Sequence, residues 1–208
     1  MGREDWFQNK TWGTATEARF NEKLCRARNK AWYLRVQAGH LVTADPRAAL
    51  SLLDRYFALG ADLGKAEAFA HQAKAHLALG AHEEALRSLE NALQREIEVP
   101  NIKTWAWIDY AVIVARQRLD HHYGRALQLL REHPAQSQLF AVTRFLWYAA
   151  FALITNAQGQ RDEARESAAE ALSYADVTDS GFVRHPNVGL VGGRYDDLRH
   201  ELRRLISN

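Results

Sequence analysis

Apolar residues recur at three- and four-residue intervals along most of this chain, and the runs stop at glycines, prolines or charged turns. At 3.6 residues per turn, that spacing stacks them into one stripe, so it predicts amphipathic helices. The clearest case runs from Glu67 to Leu93. Phe69, Ala73, Leu77 and Leu79 line a first helix, and Ala85, Leu86, Leu89, Ala92 and Leu93 line a second. Gly80-Ala81-His82 makes the turn. The small alanines predict a close crossing. A pair this short cannot bury its stripe alone and implies neighbours of the same kind.

The rest of the chain reads similarly. Residues 1–12 carry Trp6, Phe7 and Trp12, which predict an aromatic arm docked on the first helices. Thr14 and Glu17 have capping-box spacing and open a helix to about Arg28. A second helix spans about Lys30 to Val42. Asp45 and Pro46 start a third, which stops at Gly60. The helix after the central pair breaks between Glu96 and Pro100. A tryptophan-rich helix follows over 104–119, and its mate runs from His122-Tyr123 to His133 before Pro134. The most apolar helix covers 143–158 and pairs with Arg161 to Ala175. Residues 176–193 hold four glycines and a proline and read as a loop or extended connector. Residues 194–208 predict a last amphipathic helix, with Tyr195, Leu198, Leu202 and Leu205 on one face.

The four pairs share an internal ruler. Each second helix carries an alanine: Ala49, Ala85, Ala126 and Ala164. Sixteen residues before each stands an aromatic: Tyr33, Phe69, Tyr110 and Tyr148. Four residues after stand Leu53, Leu89, Leu130 and Ala168. The pairs recur at intervals of 36, 41 and 38 residues, with the extra length in the loops, where insertions cost little. In this pattern the chain resembles a tetratricopeptide repeat protein, and its arm and second helix are similar to those of uncharacterised bacterial repeat proteins. The resemblance implies an all-α solenoid of about four helix pairs, in a single domain over 1–208. Residues 13–175 hold the extra N-terminal helix and the repeats, and residues 194–208 cap them. The resemblance also places each aromatic between the two helices of its own pair.

Composition narrows the class. Alanine, leucine, arginine and glutamate dominate, and there are four prolines in 208 residues. The 27 basic residues nearly balance the 25 acidic ones, so a nucleic-acid partner is not expected from net charge. Cys25 is the one cysteine, read as a half-buried, reduced helix residue. The opening MGREDWFQNKTW has no apolar signal core, and no run reaches the roughly 18 apolar residues of a membrane span. A cytoplasmic protein is the expectation.

No nucleophile elbow, His-Glu-x-x-His, P-loop or dinucleotide fingerprint is present. Adjacent His121 and His122 read as polar turn residues. Glu83-Glu84 and Asp162-Glu163 fit the first turns of helices, where carboxylates meet the helix dipole favourably. No enzyme, cofactor or metal is expected. What remains is surface. The resemblance implies a concave groove lined one, five and eight positions after each aromatic. Those positions are Leu34, Ala38 and Leu41; Ala70, Lys74 and Leu77; Ala111, Ala115 and Arg118; Ala149, Leu153 and Asn156. They lack the basic cluster with which the family holds a peptide carboxylate, so an apolar or amphipathic peptide is the expected protein partner. Filling of the groove by the protein's own termini, or a homo-oligomer built through the first helices, is an alternative. So is a regulatory or nucleic-acid role for the basic run from Arg199 to Arg204.

Overall fold

The computed structural model describes residues 6–60 and 63–207. Among these are ten α-helices, three short 3₁₀ turns and no strand, as the periodicity predicts. The chain forms two compact units, Met1–Ala106 and Trp107–Asn208.

The first unit holds α1 (Thr14–Arg26), α2 (Lys30–Leu41), α3 (Pro46–Ala58), α4 (Lys65–Ala78) and α5 (His82–Glu98). Helix α2 packs on α3 and α4 on α5, and α3 also meets α4. The Asp45 carboxylate accepts from the Ala48 N–H at 3.1 Å, and Pro46 supplies the first turn of α3. The predicted capping box is not made. Thr14 already lies inside α1, and the cap is Gly13, which has no side chain to offer. Its extended backbone meets the helix without one.

The arm docks as expected over its described part, while residues 1–5 lie outside the described residues. Trp6 packs on Tyr33 at 4.7 Å and on Phe20 at 5.3 Å, Phe7 sits 5.0 Å from Tyr33, and Trp12 meets Phe20 edge-on. A clasp the sequence did not reveal holds it there. The Asn9 N–H and side-chain amide both donate to Gln37 Oε1, at 3.0 and 2.7 Å, and Gln37 Nε2 donates to the Asn9 carbonyl at 2.8 Å. Gln37 is fully buried, so losing Asn9 strands its amide at a cost of about 1–3 kcal/mol. A second buried polar group closes the 99–104 loop. The Glu96 carboxylate accepts from the Thr104 N–H at 2.8 Å and from its hydroxyl.

The second unit holds α6 (Ala106–Gln117) from its second residue on, with α7 (Tyr123–Glu132), α8 (Ala141–Ala157), α9 (Arg161–Ala175) and α10 (Asp196–Ser207). Helix α8 lies along α9, and α10 packs on α9 and α8 through buried Leu198 and Leu202. Trp147 Nε1 donates to the Leu130 carbonyl at 2.9 Å and pins α8 to α7. The 176–193 segment is a loop fixed in part to the second unit. The Gly189 carbonyl accepts from the Val142 N–H at 2.8 Å, which satisfies one open donor at the start of α8. Gly189 has a φ of 73°, and a Cβ there would stand 2.2 Å from the Phe140 ring.

The repeat ruler marks the core. Ala49, Ala85, Ala126 and Ala164 are all fully buried, and so are Leu53, Leu89, Leu130 and Ala168. The aromatic slots behave less uniformly. Tyr110 is buried and hydrogen-bonds His122 at 3.0 Å, and Tyr148 stacks on Tyr174 of α9. Tyr33 instead packs against the arm, and Phe69 stacks 4.7 Å from Phe57 of α3. Those two rings are half-buried, and their aromatic partners lie in neighbouring elements. Cys25 is exposed rather than half-buried, because the buried stripe of α1 passes through Phe20 and Leu24.

Candidate functional site

Each unit contains a sizeable cavity. In the first unit it measures about 620 Å³ and is bordered by Trp32, Arg35, Tyr56, Glu67 and Ile102. Its charges are already satisfied, since Arg35 forms an ion pair with Glu67. None of the six groove positions of this unit lines it. Leu34, Ala38, Leu41 and Ala70 are buried in the core, Leu77 is half-buried, and Lys74 is exposed.

His71 lies behind that face, with its ring against Gly39. Burial, reinforced by Lys74, Arg35 and His40, pulls its pKa down to about 4. The imidazole is therefore neutral at physiological pH and works as a packing group.

The second unit brings predicted positions together. Ala115, Arg118, Leu153 and Asn156 all border one cavity of about 510 Å³, while Ala111 and Ala149 are fully buried behind it. Helix α6 delivers Ala115 and Arg118 from its C-terminal end, and α8 delivers Leu153 and Asn156 from its own. The opposite wall comes from residues that reading first helices alone could not find. Helix α9 adds Arg161 and Arg165 from its first turns, and α10 adds Glu201, Arg204 and Leu205. The signal for them was present. Arg161 and Arg165 are four apart and so share a helix face, and Arg204 belongs to the basic run of the last helix. Of the ten positions carried forward as partner-binding, Leu34, Ala38, Ala70, Ala111, Ala115 and Ala149 are buried. Lys74, Arg118, Leu153 and Asn156 keep solvent access.

The cavity is cationic rather than apolar. Four guanidinium groups face it against the one carboxylate of Glu201. Arg165 has a loose partner in Asp162 at 3.7 Å, whose side chain is 98% exposed. Among the described residues no carboxylate lies within 4.0 Å of Arg118, Arg161 or Arg204. Arg199, from the same basic run, is not available to a ligand. It pairs with Asp196 at 2.7 Å and donates to the carbonyls of Ala175 and Val191.

Arg118 is also unusual in its backbone. After α4 and α8, the chain turns through a glycine with positive φ, Gly80 and Gly159. The next N–H bonds back five residues, from Ala81 to His76 and from Gln160 to Thr155. Helix α6 ends with the same bond, Leu119 to Val114 at 3.1 Å, but Arg118 occupies the glycine position with φ 53°. It is the one non-glycine residue with positive φ among the described residues. The left-handed conformation costs an ordinary L-residue roughly 1–2 kcal/mol. An arginine there trades stability for a guanidinium at the cavity mouth. Comparison with protein families, with characterised proteins and with solved structures gives no match.

Proposed function

We propose that the helix pairs are tetratricopeptide-like repeat units and that the chain is a non-enzymatic interaction module. The cavity of the second unit is its working surface. The observation that carries this reading is the convergence of Ala115, Arg118, Leu153 and Asn156. These four positions, chosen from repeat spacing alone, border one open cavity. The partner is a protein segment whose contacting side is amphipathic. Leu153 and Leu205 take an apolar side chain, and the guanidinium groups and the Asn156 amide take polar ones.

Selection of a random peptide library on the purified protein tests this. Peptides enriched on the native chain are expected to lose at least tenfold in affinity on Leu153→Glu, with the melting temperature lowered by no more than a few degrees. Leu153 is only half-buried, so a polar group there keeps its access to water. Binding indifferent to Leu153→Glu contradicts the reading. So does collapse of the fold, which would make Leu153 a core residue.

A further inference from the structure

We infer that the cavity between α6, α8, α9 and α10 is a phosphoryl-binding site, and that the group it reads is a phosphate ester or pyrophosphate. The inference rests on that cavity being the working surface of the second unit, but not on the partner being a protein.

Charge is the first reason. Arg118, Arg161, Arg165 and Arg204 meet in one volume with Glu201 as the single opposing carboxylate, while the whole chain is nearly neutral at +2. The local balance in this one concavity, +3, therefore exceeds the net charge of the whole chain. Like charges brought together repel unless something neutralises them, and three of the four have no carboxylate partner among the described residues. Multiplicity is the second reason. A carboxylate brings one charge per group, whereas a phosphoryl group carries about −1.5 to −2 at neutral pH and three acceptor oxygens. Several guanidinium forks aimed at one volume match that geometry, because each can donate two parallel hydrogen bonds to phosphate. Asn156 adds a neutral amide donor. Size is the third. At about 510 Å³ the cavity exceeds one phosphate and falls in the range of organic ligands. Leu153 offers an apolar wall for the remainder of such a molecule. Placing Arg118 where the neighbouring turns use glycine fits the same purpose.

Titration calorimetry of the full chain with inorganic pyrophosphate, a leucine-containing phosphoserine peptide and its unphosphorylated twin tests the site. Pyrophosphate is expected to bind, and the phosphopeptide at least tenfold more tightly than its twin if the phosphoryl group comes from a protein. The decisive variant is Arg118→Gly. Glycine suits the left-handed turn, so the melting temperature is expected to hold or rise while pyrophosphate affinity falls about tenfold or more. Arg204→Gln, on an exposed position of α10, is expected to weaken binding without unfolding the protein. Pyrophosphate binding without any peptide binding keeps this inference and defeats the interaction-module reading. Equal binding of both peptides, with pyrophosphate neither binding nor competing, overturns the inference and leaves the module standing. Binding of neither pyrophosphate nor phosphopeptide overturns it, as does unchanged affinity in Arg118→Gly. A single-stranded oligonucleotide that binds with steep salt dependence and is not displaced by pyrophosphate overturns it in favour of a nucleic-acid surface.

Discussion

His71 shows how much of this protein is set by single side chains held in particular surroundings. Its ring presses on Gly39, and Arg35, His40 and Lys74 add positive charge around it. With a pKa near 4 in the folded protein and an ordinary value near 6.5 when unfolded, the unfolded chain takes up a proton first on acidification. The contribution to stability is complete above about pH 6.5 and is lost as the pH falls toward 4. Its full size is about 3 kcal/mol, at roughly 1.4 kcal/mol per unit of pKa difference. Denaturant melts at pH 7.5 and 4.5 should therefore show a loss that shrinks in His71→Gln. An equal loss in both proteins would mean that the ring is protonated in the fold or is not buried. The tight fit also forecasts that Gly39→Ala is destabilising, since the new Cβ would lie 2.8 Å from the ring.

At the scale of elements, the crossing alanines carry the packing. Ala85 is fully buried where α5 meets α4, so Ala85→Arg would combine overpacking with burial of a charge. Loss of more than 4 kcal/mol, or failure to fold, is expected, and an unchanged melting temperature would place Ala85 away from the crossing. The turn at Gly189 yields a paired test. Gly189→Ala should lower the melting temperature by several degrees, because φ is 73° and Phe140 occupies the space. Gly13→Ala should cost only the roughly 0.5–1 kcal/mol of a poorer N-cap residue, because that backbone is extended and nothing lies within 4 Å. The contrast between the two positions, read by calorimetry, is the check.

These elements also explain what the sequence disclosed. Helix existence, the turn glycines and the buried alanine-leucine ruler were legible because a 3.6-residue period leaves a local trace. The Asn9–Gln37 clasp and the Glu96–Thr104 loop closure were not, because hydrogen bonds between distant or irregular segments follow no period. The additional aromatic partners of Tyr33 and Phe69 were not legible for a related reason: spacing fixes the face of a helix, not every neighbour that meets it. Four of the ten residues bordering the cavity were legible on the same terms. Positions on α6 and α8 follow from the ruler, whereas Arg161, Arg165 and Arg204 join them only through the packing of α9 and α10.

At the scale of the whole molecule, near-neutral net charge conceals a local asymmetry. Balanced totals disfavour a general polyanion surface, yet four arginines share one concavity of the second unit. The cavity of the first unit, with its arginine neutralised by Glu67, offers no comparable charge. Binding should therefore localise to one unit and weaken with salt less steeply than an extended phosphate track would. Amide chemical-shift mapping of the full chain during a pyrophosphate titration tests this most directly. Saturable shifts are expected, confined to the end of α6, the end of α8, the first turns of α9 and the last turns of α10, with the Asn156 side-chain amide among them. Shifts spread over exposed lysines, or centred on residues 6–106, would contradict it.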